Sequence, residues 1–395
     1  MSSIVIQGDT SGSITVEAPS VAGTHTLTLP KATGNIATDA TVGLGTKNLI
    51  INGDMRIAQR GTSVSGLTTG GYYTVDRWKF NITTAGTWTM EQDTDVPTGQ
   101  GFANSMKMSC TTADASLAAG DRVWFDQRVE GYNLQQLAYG TASAKSITVS
   151  FWVKSNKTGT YILEFYSDDS NKTASKSYTI SSANTWEKKT IILASDTVSG
   201  FNNDNGLSLY VWFWLAAGST YSSGTLNTSW AANVTANRAV GQTNLADSTS
   251  NYINITGVQL ELGENATPFE NRMYSQELAM CQRYFQSFGG SNVAETVGQG
   301  TSFSTTNTYV LIHLLQTMRS VPSLGYSAVG DWRLHYPGVT GQEATVMAIS
   351  TNDSNNTKVI VNTTTATNAS MGGGKCIQLT ADSTISARLT FSAEL

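Results

Sequence analysis

Charge is scarce in this sequence: Asp, Glu, Lys and Arg supply only 13% of 395 residues, and 24 basic against 29 acidic side chains leave a net charge of −5. A nucleic-acid binder needs a basic stripe to neutralise phosphates, so that class is set aside. Cysteine is equally rare. Cys110, Cys281 and Cys376 are far apart, odd in number and in no metal-ligand spacing, which argues against a disulfide framework or a zinc site. The strongest apolar runs, Leu209 to Ala217 and Tyr309 to Leu315, fall far short of the roughly 20 residues that cross a bilayer. Met1 to Asp9 holds no basic stretch followed by an apolar one, so the expectation is a soluble chain made in a cytoplasm without a secretory signal. Histidine is limited to His25, His313 and His335, and no Gly-x-Ser-x-Gly elbow occurs, so a serine hydrolase lacks its constellation. Gly372-Gly-Gly-Lys375 reads as a turn and not a phosphate loop, because Ala369 and Cys376 stand where Gly and Ser or Thr are needed.

What is abundant points to strands. Hydrophobic residues make up 39%, with 9 Trp, 15 Tyr and 12 Phe, too apolar and aromatic for a disordered chain. Short β-branched and aromatic runs bounded by turn clusters, with 36 Gly, predict an all-β protein. In residues 1–45, two short strands at Ile14–Glu17 and Leu27–Pro30 cannot bury a core alone, which predicts an N-terminal anchor and oligomerisation segment. Residues 46–270 carry dense strand signals at 146–154, 160–166, 190–193, 207–215 and 252–262, the pattern of a jelly-roll sandwich. Ile253 and Ile255 differ in parity from Val258, Leu260 and Leu262, so a β-bulge at Gly257 is expected. Residues 271–290 form a connecting helix, and 291–395 a C-terminal β-sandwich domain.

The strand 207–215 carries the clearest pattern. Period 2 puts Leu207, Leu209, Val211, Phe213 and Leu215 on one face and Ser208, Tyr210, Trp212 and Trp214 on the other. The same parity in 146–154 separates Ile147, Val149, Phe151 and Val153 from Thr148, Ser150, Trp152 and Lys154. One face is core. Flat C–H patches of sugar rings stack on aromatic faces, so Trp152, Tyr210, Trp212 and Trp214 are candidate carbohydrate-binding residues. The competing reading is that a loop, the C-terminal domain or another subunit covers this row, since large aromatics are seldom left bare.

Within the helix expected over 273–288, Leu278, Cys281, Phe285 and Phe288 recur at i, i+3, i+7 and i+10. That spacing suits a short coiled-coil seam, which would make them oligomerisation residues, and equally an amphipathic helix packed on its own domain. Asp168-Asp169 and Asn202-Asn-Asp-Asn205 read as Asx turns or as ligands of a structural calcium ion; no other cofactor is expected. A glycosidase needs only two nearby carboxylates, which a sequence leaves open.

Several phrases occur in order along the chain: Leu27-Thr-Leu-Pro-Lys-Ala-Thr-Gly-Asn-Ile36, Asn48-Leu-Ile-Ile-Asn-Gly-Asp-Met55, Gln59-Arg-Gly-Thr62, Asp76-Arg-Trp78, Gln127-Arg-Val-Glu-Gly131 and Ser150-Phe-Trp-Val-Lys-Ser155. Ile255-Thr-Gly-Val-Gln-Leu-Glu-Leu-Gly263, Ala266-Thr-Pro-Phe-Glu270, Cys281-Gln-Arg-Tyr-Phe285 and Met318-Arg-Ser-Val-Pro-Ser323 follow. Together they resemble the tail-fibre and receptor-binding structural proteins of bacteriophages, with a jelly roll similar to carbohydrate-binding modules. The resemblance implies a virion protein assembled as a homotrimer, joined to other virion proteins through its N-terminal segment and adhering to host surface polysaccharide; the missing nucleophile–base constellation adds the expectation that it is not an enzyme. A capsid head fibre or decoration protein shares these features, and a polysaccharide-degrading tailspike is the enzymatic rival.

Overall fold

The computed structural model describes residues 3–7, 13–17, 47–290, 292–336, 339–365, 372–382 and 387–395. Contacts divide the chain into Met1–Leu44 and Gly45–Leu395. In the first unit β1 (Ser3–Gln7) and β2 (Ser13–Glu17) pair antiparallel, Ile4 opposite Val16 and Ile6 opposite Ile14. The expected strand at Leu27–Pro30 lies outside the described residues. Residues 14–17 pair with residues 3–7 across a short loop, whose closure costs little entropy.

The second unit begins with a jelly-roll sandwich, as the strand spacing predicts. Its strands are β3 (Ser63–Leu67), β4 (Lys79–Thr83), β5 (Thr87–Asp93), β6 (Ser105–Thr112), β7 (Arg122–Glu130) and β8 (Ile147–Ser155). They continue with β9 (Gly159–Ser167), β10 (Lys172–Ile180), β11 (Glu187–Leu193), β12 (Leu207–Ala217), β13 (Ala231–Ala232) and β14 (Tyr252–Leu262). One sheet has the order β13-β10-β9-β12-β7-β4 and the other β11-β8-β14-β6-β5-β3. Leu209, Val211, Phe213 and Leu215 of β12 and Ile147, Val149, Phe151 and Val153 of β8 are fully buried, so the period-2 parity sets the core face. Phe213 stacks on Phe125 at 5.0 Å and meets the edge of Phe151 at 5.2 Å, joining β12 of one sheet to β8 of the other. Truncating an aromatic ring at such a position costs about 3–5 kcal/mol.

The bulge expected at Gly257 is present: pairing of β14 with β8 slips between Thr256 and Gln259, and Gly257 has φ 62°. Asn48 to Met55 forms no strand. Its polar side chains do the pairing instead: Asn48 accepts from the amides of Ile50 (3.0 Å) and Leu260 (2.9 Å), and Gln127 both donates to the Ile51 carbonyl and accepts from its amide at 2.7 Å. Asn52 closes the turn onto the Ile57 and Asp76 carbonyls. Buried backbone groups without a ladder need such partners.

The connecting helix is shorter than its apolar spacing predicts. A short helix, α1 (Ser219–Ser222), precedes it inside the sandwich, and α2 covers only Tyr274–Gln282. Phe285–Phe288 is a strand, β15, paired with the last strand, so period 2 and cross-strand packing prevail over helical spacing there. Then come β16 (Thr296–Ser302), β17 (Asn307–His313), β18 (Ser323–Tyr326), β19 (Trp332–Tyr336), β20 (Val339–Ile349), β21 (Lys358–Thr365), β22 (Cys376–Ala381) and β23 (Leu389–Ser392). A sandwich was expected here; hydrogen bonding instead closes β16-β17-β21-β20-β19-β22 into a barrel beside a three-stranded sheet, β15-β23-β18. Closure leaves the barrel no free edge.

Arginines of the phrases that carry the resemblance join the sandwich to the residues after α2 and to the C-terminal residues after β23. Arg77, φ 72° and buried, lies 3.4 Å over the Tyr284 ring, donates to the Arg128 carbonyl at 2.6 Å and pairs with Glu394. Arg60 pairs with the same carboxylate at 3.1 Å, Arg128 donates to the Leu395 carbonyl at 2.5 Å, and Arg283 grips Glu130 with two bonds of 2.8 and 2.7 Å. Asp76, on the far side of Arg60, is pushed up to about 6 by burial, against the pull of Arg60 and Gln59.

Candidate functional site

The structure divides the aromatic residues expected to form one platform. Tyr210, Trp212 and Trp214 lie on β12 and Trp152 on β8, strands of opposite sheets. Trp214 is fully buried and Trp212 is only 9% exposed. Tyr221 of α1 packs 5.6 Å from Trp214, and Arg238 lies 4.2 Å over Trp212. Beneath them Glu164, fully buried, accepts from Trp214 Nε1 at 2.8 Å and pairs with Arg238 at 2.7 Å. Burial pushes this carboxyl upward and Arg238 opposes it. An exposed platform at Trp212 and Trp214 is therefore corrected: residues 218–242 cover them, as the competing reading required. Only Tyr210, tilted against Tyr166 at 5.4 Å, stays half-buried at the rim.

Trp152, half-buried, has a cleft of its own, about 400 Å³, on the outer face of the second sheet. The bulge builds it. A Cβ at Gly257 would come within 2.5 Å of the Phe102 ring, so only glycine admits that ring against β14. Phe102 in turn meets Phe269 edge-on at 5.2 Å. Phe102, Trp152 and Phe269 supply flat apolar surface, while Gln100, Ser150, Lys188 and Asn271 supply donors and acceptors around it. Lys188 stands directly opposite Trp152 on β11. Lys154, two residues on and on the same face, pairs with Asp95 at 2.5 Å, and Trp186 Nε1 donates to Asp95 at 2.9 Å. Burial would raise Asp95, but these two donors outweigh it and hold the carboxyl below its usual range. A cleft of this size with aromatic walls and a few polar groups suits a small, ring-shaped polar ligand.

The stripe read as an oligomer seam is also rearranged. Leu278 and Cys281 are on α2, Phe285 and Phe288 on β15, so the four do not share one helical face. Cys281 is fully buried in a small cluster with Ile51, Ile57 and Tyr284, against which Leu278 packs, and Phe288 packs edge-on to Phe391.

The acidic turns are closed by their own neighbours. Asp169 accepts from the amide and side chain of Asn202 at 3.0 and 2.6 Å, and Asp204 accepts from the Gly206 amide at 2.8 Å. Among the described residues no group of three or more His, Cys, Asp or Glu is placed to hold a metal ion. Likewise no helix among them is long and apolar enough to cross a membrane.

Of the four sequence candidates Trp152 lines this cleft, together with Phe102, Phe269, Gln100 and Lys188, which the sequence pattern did not single out. The Gly257 bulge was the available signal, since a positive-φ glycine inside a strand often marks a close approach by another group.

No protein-family model and no curated protein matches the chain. Among solved structures it is similar to the enzymatically active domain of tailspike protein 4 of bacteriophage CBA120, at 14% identity and TM-score 0.29. That match covers 54% of this chain and 21% of the tailspike chain, about a fifth of its length. A family 11 carbohydrate-binding module from Clostridium thermocellum, in complex with a mixed-linked tetrasaccharide, matches at 13% identity and TM-score 0.24 over 55% of this chain and 94% of that one. A tandem of two family 22 modules from Paenibacillus barcinonensis Xyn10C matches at 10% identity and TM-score 0.25 over 86% of this chain and 99% of that one.

Proposed function

We propose that this chain is a fibre or receptor-binding protein of a bacteriophage particle that adheres to host surface glycans through the Trp152 cleft without cleaving them. The observation that carries the reading is the cleft itself: three aromatic side chains and five polar ones, Thr267 among them, around a space the size of one or two sugar rings. No carboxylate is among its lining residues, and the nearby Asp95 is held ionised by Lys154, the opposite of what a glycosidase acid needs. Supporting the virion assignment is the resemblance of several phrases to those of phage fibre proteins; these phrases supply the Asn48–Met55 turns and the arginines around Glu394. In this reading the chain is a homotrimer attached to other virion proteins through its first unit, and many weak contacts combine by avidity.

The test is binding of purified chain to surface polysaccharide of a susceptible host, with Trp152→Ala as the variant. Stacking of this type is worth about 0.5–1.5 kcal/mol, so affinity per site should fall roughly threefold to tenfold with the melting temperature nearly unchanged. Equal binding by the variant refutes the site. Shortening of the polysaccharide during incubation refutes the non-cleaving reading, and light scattering that shows a monomer refutes the trimer.

A further inference from the structure

We propose that the ligand of the Trp152 cleft is an acidic saccharide, whose ring stacks on the aromatic walls while Lys188 takes its anionic group. This names the class of glycan for the binding reading above and rests on that reading. Lys188 lines the cleft and stands directly opposite Trp152 across the β8–β11 ladder, so ammonium and indole are carried on the same outward face of the sheet. Side chains paired in this way start about 4.5–5.5 Å apart, and the four-carbon stem of a lysine then reaches a substituent on a ring resting against the indole. Lys188 is exposed and makes no hydrogen bond or ion pair among the described residues. Nothing in the fold uses its charge.

The other charged groups around the cleft are engaged already. Asp95 gives one carboxylate oxygen to Lys154 at 2.5 Å and the other to Trp186 Nε1 at 2.9 Å. Glu187 shares the parity of the buried Ile191 and Leu193, and on that side of β11 it holds Lys189 at 2.5 Å and the amides of Ser181 and Ser182 at 2.8 Å. Buried Glu261 accepts from the Thr267 amide and hydroxyl at 2.9 and 2.6 Å, and Lys47 Nζ donates to the same hydroxyl at 2.5 Å. Lys188 is thus the one charged side chain lining the cleft among the described residues, and it has no counter-ion there. A neutral sugar leaves that ammonium to water. A ring that carries an acid adds a charge-assisted bond beside the stack, with Gln100 and Asn271 left for its hydroxyls. An ammonium is a compact point charge, so a uronate carboxylate and a phosphate ester both suit it.

The experiment titrates the full chain, labelled with heavy nitrogen at tryptophan, with D-glucuronate, D-glucose 6-phosphate and D-glucose at low and high salt. The indole N–H signal of Trp152, assigned by its loss in Trp152→Phe, reads occupancy of this cleft apart from any sugar bound elsewhere. At least one acid should move that signal with an affinity about threefold to tenfold above that of glucose, the advantage shrinking as salt rises; the stronger acid names the group. Lys188→Gln should reduce the preference to near parity, and Lys188→Arg, which keeps the charge, should retain it; the position is exposed, so both variants fold. Glucose that moves the Trp152 signal as readily as both acids, or a Lys188→Gln protein that keeps the preference, overturns the acidic ligand and leaves the glycan cleft standing. An acid that binds without moving the Trp152 signal lies elsewhere and also overturns the proposal. No movement with any of the three sugars overturns both the proposal and the cleft on which it rests.

Discussion

Removing one carboxylate where the residues after β23 meet the sandwich should destabilise the chain far more than an ordinary ion pair would. In Glu394→Gln the buried Arg77, 1% exposed at its side chain, keeps the Tyr284 ring and the Arg128 carbonyl but loses its only carboxylate among the described ion pairs. Arg60 keeps Asp76 at 3.6 Å, so the loss falls mainly on Arg77. Taking away one partner of a buried pair leaves an uncompensated charge and costs about 3–5 kcal/mol, against about 0.2–1 kcal/mol for an exposed pair. At roughly 2–4 °C per kcal/mol for chains of this scale, the melting temperature should drop by about 6–20 °C. Differential scanning calorimetry reads it, and limited proteolysis between residues 283 and 290 reports whether the β15-β23-β18 sheet has come away from the sandwich. A drop under about 2 °C would refute the reasoning, because it would place Glu394 with surface ion pairs.

Trp214→Ala should cost about 3–5 kcal/mol in thermal melts, whereas Trp152→Ala should cost under about 1 kcal/mol; equal losses would contradict their different burial. Gly257→Ala should both strain the backbone at φ 62° and displace Phe102, so glycan binding and stability should fall together, and retention of both would remove the bulge from the site. Asp76 gives a pH signature. Its folded pKa of about 6 lies above the ordinary 3.8, so the native state holds the extra proton in that window and stability is lost as pH rises from about 4 to about 6. The contribution is at most about 3 kcal/mol, and Asp76→Asn should flatten that part of a pH series of melts; an unchanged slope would exclude Asp76 as its source.

The sequence by itself determined the strand class and the inward face of the main strands. Alternation along Leu207–Leu215 and Ser146–Lys154 is a property of neighbouring residues, and a pleated strand turns it directly into one buried and one outward face. The parity switch at Gly257 was legible for the same reason. Only the tertiary structure decided which outward aromatics stay open to a cleft. Trp152 and Trp212 have identical local patterns, yet one lines a cleft and the other lies under residues 218–242, because sheet membership depends on partners far along the chain. Likewise Phe285 and Phe288 fit a helical stripe until residues 389–392 offer them a ladder. The Phe102 wall, the closed barrel and the burial of Arg77 against Glu394 all join residues widely separated in sequence. Such contacts are fixed by which surfaces exclude water together, and no local period records that.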